Sequence, residues 1–114
     1  MSDVMIYHNP RCSKSRATLQ ILRDRGIEPE IVEYLKTPPD EETLACLLGM
    51  LEMEPIDLIR KGEDDYEALK LEAKDRKALI RAMVAHPILI ERPIVVKGDQ
   101  ARLGRPPEGV LEIL

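Results

Sequence analysis

Short apolar runs in the first third of the chain predict two strands joined by a helix. Val4–Tyr7 is a β-prone run that predicts a buried first strand, and Ile31–Leu35 predicts a second one. Between them, apolar positions from Ser13 to about Arg25 fit a helix, and Gly26 is typical of the residue that follows one. A strand, a helix and a strand with short connections form a βαβ unit, in which the two strands are parallel.

The middle of the chain, at about residues 38–87, changes to helical spacing. Four leucines in this stretch share one helix face, and they are Leu44, Leu47, Leu48 and Leu51. Further helices are predicted from Pro55 to near Arg60, over Glu63–Leu69 and over Lys77–Ala85. Because no linker separates this block from its surroundings, we interpret it as a helical insertion within a single domain of residues 1–114.

The last quarter of the chain returns to strands. Ile94–Val96 predicts a third strand, Gly98-Asp99 is typical of a hairpin turn, and Ala101–Leu103 predicts a fourth strand antiparallel to the third. A C-terminal helix is predicted to begin at Pro106-Pro107. The order βαβ, helical block and ββα predicts an α/β fold of thioredoxin-like type, with a four-stranded mixed sheet and an inserted helical block.

Composition and charge exclude several classes of protein. A formal net charge of -4, no Trp, no Phe and 3 Tyr argue against a surface that binds nucleic acid. The N-terminus lacks a signal-peptide pattern, and no stretch approaches the roughly 20 apolar residues that span a bilayer. We therefore predict a cytoplasmic protein with no membrane or nucleic-acid partner, in which thiols stay reduced. The 2 Cys and 2 His lack zinc-ligand spacing and predict no metal site.

Cys12 is the candidate nucleophile because it lies at the predicted N-terminus of the first helix. The unpaired backbone N–H groups and partial positive charge of that terminus favour a thiolate. Arg11 and Lys14 flank the cysteine, Arg16 lies one turn on, and His8 is close enough in sequence to donate a hydrogen bond or add charge. A free Cys has a pKa of ~8.5, so a depression of ~2 units would make it mostly thiolate at neutral pH. The alternative is a buried structural thiol, as most free cysteines are.

The motif around this cysteine is C-x-x-S, so Ser15 stands where a dithiol oxidoreductase has its second cysteine. Cys46 lies in an apolar helical stretch, and we interpret it as structural filler rather than as a resolving thiol. A monothiol enzyme without an internal resolving cysteine needs an external thiol. Glutathione is the cytosolic candidate for that thiol.

Four arginines are candidates for an oxyanion site beside Cys12, and they are Arg60, Arg92, Arg102 and Arg105. The guanidinium group suits a tetrahedral oxyanion because its planar fork donates two charge-assisted hydrogen bonds. The alternative for each arginine is a solvated surface position, and the sequence alone does not show that they converge. Pro93 follows Arg92 at the start of the third strand, where a thioredoxin-type fold has a cis-proline that faces the nucleophile.

Segments distributed over the whole chain match one family in order, and they are Ile6–Arg16, Tyr34–Pro39, His86–Val96 and Gly104–Pro107. On these residues the chain resembles the glutaredoxin-coupled arsenate reductases. The resemblance implies a thioredoxin-like fold with a helical insert. It also implies arsenate as the substrate, glutathione as co-substrate, glutaredoxin as partner, and neither a bound cofactor nor a metal.

The resemblance assigns roles to individual residues. Cys12 would be the nucleophile that attacks arsenic, and His8 and Ser15 would help to set its thiolate. Pro93 would support the site, whereas Arg102 receives no role. The anion site would consist of Arg60, Arg92 and Arg105.

Two alternative functions remain open at this point. An enzyme of the same fold could use Cys12 as a glutathione-linked thiol reductase acting on another substrate. A non-enzyme alternative is an Spx-like regulator that binds RNA polymerase, although such regulators typically have a C-x-x-C switch, which Ser15 breaks. The arsenate reductases with a phosphatase-like C-x5-R loop are excluded, because Thr18 stands where that arginine belongs.

Overall fold

The computed structural model describes residues 3–114, which form two compact units. The first unit comprises the residues up to Thr37 together with Arg92–Leu114, and the second comprises Pro38–Glu91. The first unit contains the sheet. The second contains helices and includes the segment for which the sequence predicts an insertion.

The sheet of the first unit has four strands in the order β2-β1-β3-β4. Its strands are β1 (Val4–Tyr7), β2 (Glu30–Val32), β3 (Ile94–Lys97) and β4 (Gln100–Leu103). Strand β1 runs parallel to β2 and antiparallel to β3, and β3 runs antiparallel to β4. The predicted mixed four-stranded sheet is therefore confirmed.

Helix α1 (Ser13–Asp24) connects the two parallel strands and supplies much of the core of this unit. Its residues Leu19 and Leu22 are buried with the side chains of β1 and β3. The helix ends as predicted: Gly26 has a φ of +77°, and its N–H donates to the carbonyl of Arg23 at 2.9 Å. A positive φ is readily adopted by glycine, which explains the residue type at this position.

Two elements of this unit, strand β2 and the C-terminal helix, differ from the sequence prediction. Strand β2 stops at Val32 instead of Leu35, because Glu33 begins a turn in which its carbonyl accepts from the N–H groups of Lys36 and Thr37, each at 2.9 Å. The predicted C-terminal α-helix is a 3₁₀ helix over Pro107–Ile113. It buries Val110 and Ile113 in the core of the sheet unit, so its packing role matches that of the expected helix.

The second unit contains helices of different lengths. They are α2 (Glu41–Leu51), α3 (Pro55–Leu58), α4 (Asp64–Ala68) and α5 (Arg76–Ala85), with 3₁₀ helices at Leu71–Ala73 and Pro87–Leu89. The two longest begin with a side-chain cap: Asp40 accepts from the N–H of Thr43 at 2.8 Å, and Asp75 accepts from that of Ala78 at 2.9 Å. The leucines predicted to share one face of α2 are buried.

Helix α3 ends earlier than the sequence predicts. Its last residue is Leu58, because Ile59 is extended and forms a β-bridge with Ile90. The N–H of Arg60 then donates to the carbonyl of Leu89 at 2.7 Å. These long-range backbone bonds replace the helical bonds that a continuation of α3 to Arg60 would have made.

Within residues 3–114, no helix is long and apolar enough to cross a membrane. The same residues include no group of three or more His, Cys, Asp and Glu placed to hold a metal ion.

Candidate active site

Cys12 is the residue that precedes helix α1, and its side chain is half-buried. Burial on its own raises the pKa of the thiol. That effect is outweighed by the backbone N–H of Ser15, the side chain of Arg92 and the backbone N–H of Lys14, which all favour the thiolate, so the pKa of Cys12 is lowered. The sequence expectation of an activated thiol at a helix N-terminus therefore agrees with the local electrostatics.

The cation that acts on the Cys12 sulfur comes from a distant part of the chain. Arg92 immediately precedes β3, and its side chain hydrogen-bonds to the thiolate and attracts it by charge. The cations near Cys12 in sequence, which we expected to act on it, are exposed, and they are Arg11, Lys14 and Arg16. Arg16 instead donates from Nη1 to the carbonyl of Pro10 at 3.0 Å.

Arg92 also has donor groups that the described residues leave unused. Its Nε and Nη1 are buried, and neither has a hydrogen-bond partner within residues 3–114. A buried donor without a partner costs about 1–3 kcal/mol, more for a charged group, so native structures rarely keep one without a reason. A guanidinium with free nitrogens beside a thiolate is suited to bind an oxyanion.

Arg105 lies next to this arginine in the first unit. It follows β4, is exposed, and donates from Nη1 to the backbone carbonyl of Arg92 at 3.2 Å. The Arg92–Pro93 bond is cis, as the fold type predicts, and Arg105–Pro106 is a second cis bond that the sequence analysis did not anticipate. The structure thus brings Cys12, Arg92 and Arg105 together in one unit.

His8 and Ser15, on either side of Cys12 in sequence, form a buried hydrogen-bonded pair. Nδ1 of His8 lies 2.6 Å from Oγ of Ser15, and the same hydroxyl accepts from the backbone N–H of Asn9 at 3.0 Å. Burial is the main cause that lowers the pKa of His8, so the imidazole is mostly neutral at neutral pH. This disfavours the suggestion that His8 adds positive charge near Cys12. The backbone N–H of Ser15 helps to lower the pKa of Cys12, while its hydroxyl contacts His8 and accepts from the N–H of Asn9.

Arg60 lies in the second unit and has an acidic neighbour there. Its Nη1 is 3.4 Å from Oε2 of Glu63, and both side chains are partly exposed. Its assignment to the anion site stays a prediction. Arg102, which received no role, pairs through Nε with Oε2 of Glu112 at 2.9 Å.

The interpretation of Cys46 as structural filler is wrong, because its side chain is exposed on α2. The buried face of this helix consists of Leu44, Leu47, Leu48 and Leu51, and a residue at position 46 falls outside that face. The interpretation relied on the apolar neighbours of Cys46 in sequence. The helical spacing of the buried leucines instead indicates an exposed position for Cys46.

Two buried residues beside Pro93 have no role in the site that the sequence predicts. Gly104 and Thr18 are both buried and pack against each other beside Pro93. The sequence signals for Gly104 are its position between β4 and Arg105 and its place in the Gly104–Pro107 segment that carries the family resemblance. In the sequence, Thr18 only stands where a phosphatase-like loop would have its arginine.

The chain is similar to a set of related proteins over its whole length. The model of the ArsC family matches residues 7–113. The protein YfgD of Escherichia coli K12 is 55% identical over 115 residues, covering 98% of this chain and 97% of its own. An arsenate reductase of the same organism is 48% identical over 117 residues, covering 100% of this chain and 82% of its own. The solved structure of an arsenate reductase from Vibrio cholerae matches with a TM-score of 0.95 at 51% identity and covers 97% of each chain.

Proposed function

The chain belongs to the ArsC family, and from this premise we propose that it is an arsenate reductase in which Cys12 is the nucleophile and glutathione is the external reductant. The observation that best supports the proposal is the juxtaposition of Arg92 and Cys12. Arg92 keeps two buried guanidinium nitrogens without a partner among residues 3–114, and it lies against a thiol whose pKa is lowered.

In the first step, the Cys12 thiolate attacks the arsenic of arsenate. A sulfur–arsenic bond forms, and one oxygen of arsenate leaves as water after taking up protons. Arg92 and Arg105 balance the negative charge of the oxyanion during this displacement. Loss of one such donor typically lowers kcat by about 10²–10³-fold. The proposal includes Arg60 in the anion site on the family resemblance alone.

In the second step, a glutathione thiolate attacks the Cys12 sulfur of the adduct. The sulfur–arsenic bond breaks with its electron pair on arsenic, which leaves as arsenite in the trivalent state. The two thiols supply the two electrons and become a mixed disulfide of Cys12 and glutathione. Glutaredoxin then attacks the glutathione sulfur and releases the Cys12 thiolate for the next cycle.

An external reductant is part of the proposal because the C-x-x-S motif provides no second thiol. Ser15 occupies the position of a resolving cysteine, and its hydroxyl is engaged with His8 and Asn9. A serine cannot form the internal disulfide by which a dithiol enzyme releases its product. No bound cofactor or metal enters the proposed reaction.

A coupled assay tests the proposed function. Arsenate-dependent oxidation of NADPH is followed with glutathione, glutathione reductase and glutaredoxin present, and then with each of glutathione and glutaredoxin omitted. We expect turnover only in the complete mixture. Oxidation that needs this protein, glutathione and a disulfide substrate, but proceeds without glutaredoxin and is independent of arsenate, would instead support the glutathione-linked thiol reductase.

A further inference from the structure

Gly104 occupies a space in the first unit where no other residue fits. A Cβ on this residue would lie 2.7 Å from Cγ of Pro93 and would overlap the side chain of Thr18. The N–H of Gly104 also donates to the carbonyl of Pro93 at 2.9 Å, so the glycine contacts the cis-proline segment through its backbone. The lack of a side chain is therefore required by close packing.

Thr18 connects this glycine to the start of α1. The threonine is buried, and its Oγ1 donates to the carbonyl of Lys14 at 2.8 Å. The backbone N–H of Lys14 is one of the groups that lower the pKa of Cys12. One wall of the Gly104 space thus belongs to the turn of helix that holds the nucleophile, and the other wall belongs to the segment that contains Arg92.

A second contact joins the same segments. Arg105 follows Gly104 directly and donates from Nη1 to the backbone carbonyl of Arg92. The chain leaving β4 is therefore bonded both to Arg92 and to Pro93. Its distance from α1 is limited by the contact between Gly104 and Thr18.

We propose that Gly104 is a positioning residue, which by its close packing between Thr18 and Pro93 fixes the distance between the Arg92 guanidinium and the Cys12 sulfur. Any side chain at this position would push the cis-proline segment away from α1 and with it the arginine. The catalytic consequence rests on the proposed function, but the consequence for the reactivity of Cys12 does not.

The substitution Gly104→Ala tests this proposal without arsenate. The pH dependence of Cys12 alkylation by iodoacetamide is measured by mass spectrometry of the Cys12 peptide, and folding is checked by circular dichroism and thermal unfolding. We expect the midpoint of the alkylation profile to rise by about one pH unit, which is about a tenfold loss of thiolate at a fixed pH below the midpoint. A merely structural role for Gly104 would lower the Tm and leave this midpoint unchanged, and that result would overturn the proposal.

Gly49→Ala is the matched control. Gly49 lies within α2, and a Cβ there would meet no heavy atom within 4 Å outside the helix itself. Because alanine is the better helix former, this variant should be as stable as the wild type or slightly more stable. Its Cys12 alkylation profile should match that of the wild type, and a shift in this profile as large as that of Gly104→Ala would contradict a specific effect.

The double variant Thr18→Ala/Gly104→Ala removes one wall of the space. We expect its Cys12 midpoint to lie closer to the wild-type value than that of Gly104→Ala, and a midpoint no closer would overturn the proposal. Should Gly104→Ala fail to fold, the Cys12 midpoint of the double variant is compared with that of Thr18→Ala: since the Cβ at position 104 would still lie 2.7 Å from Cγ of Pro93, a higher midpoint in the double variant supports the proposal, and an equal midpoint overturns it. Absence of arsenate reduction by the wild type would refute the proposed function while leaving these alkylation results interpretable.

Discussion

The start of α1 and the middle of α2 each contain a cysteine, and the two surroundings differ in exposure, in backbone donors and in the presence of an arginine. Cys12 is half-buried before the first turn of its helix, where backbone N–H groups are not used by the helix and Arg92 is adjacent. Cys46 is exposed in the interior of its helix, where the backbone N–H groups bond to earlier carbonyls. Backbone N–H donors and an arginine that is distant in sequence therefore distinguish Cys12 as the nucleophile, although Cys46 is the more exposed thiol.

The largest effect should come from exchanging the thiol of Cys12 for a hydroxyl, and the same exchange at Cys46 is the matched control. Cys12→Ser should lower arsenate turnover by ~10³-fold or more, as is usual when a nucleophile is removed. Cys46→Ser should keep nearly all activity, because the proposed cycle uses glutathione instead of a second protein thiol. Both variants are measured in the coupled NADPH assay. Full activity of Cys12→Ser would refute the assignment, and loss of activity in Cys46→Ser would indicate that Cys46 resolves the intermediate.

Removal of the Arg92 side chain should make Cys12 more like an ordinary, less reactive thiol. Arg92→Ala should lower kcat/KM for arsenate by about 10²-fold, because it removes both a donor to the oxyanion and the charge beside the sulfur. Since Arg92 favours the thiolate, the pH midpoint of Cys12 alkylation should be higher in the variant than in the wild type. The measurements are steady-state kinetics and the pH profile of alkylation.

Arg102→Ala is the matched control for this prediction. It removes one positive charge from the neighbouring strand β4, where Arg102 forms a partly exposed ion pair with Glu112. Such a pair contributes only about 0–1 kcal/mol to stability, so folding should be preserved. An equal loss of arsenate activity in both arginine variants would point to a general effect of charge rather than to the contact between Arg92 and Cys12.

A smaller effect is expected from changes to the buried pair of His8 and Ser15. Ser15→Ala would leave the N–H of Asn9 and Nδ1 of His8 without their hydroxyl partner, which should lower the free energy of unfolding by about 1–3 kcal/mol. Ser13→Ala, at an exposed position two residues earlier, should change it by no more than about 0.5 kcal/mol. Urea unfolding of both variants measures the difference, and equal stabilities would contradict a structural role for the hydroxyl.

Much of the sheet unit could be predicted because its signals are local. The apolar runs of β1 and β3, the Gly26 helix end and the Gly98-Asp99 turn each depend on a few neighbouring residues. The early end of β2 reflects the local turn at Glu33, whereas the early end of α3 arises where long-range bonds replace a local preference. Ile59 leaves α3 to form a bridge with Ile90, which no pattern within the helix indicates.

The same distinction applies to the candidate site. The position of Cys12 at a helix N-terminus follows from the sequence, because a strand, a loop and a helix succeed one another there. The choice of the acting cation does not follow, since Arg92 lies far along the chain while the exposed Arg11 lies next to Cys12. Close packing at Gly104 is also invisible in the sequence, because it depends on where Thr18 and Pro93 meet in space.

Protection of Cys12 by arsenate is the most direct test of the claim that this thiol lies in an oxyanion site. The folded protein is alkylated with iodoacetamide at increasing arsenate concentrations, and the peptides of Cys12 and Cys46 are quantified separately by mass spectrometry. We expect arsenate to slow the alkylation of Cys12 saturably, to leave that of Cys46 unchanged, and to lose its effect in Arg92→Ala. Alkylation of Cys12 at the same rate with and without arsenate would contradict the claim.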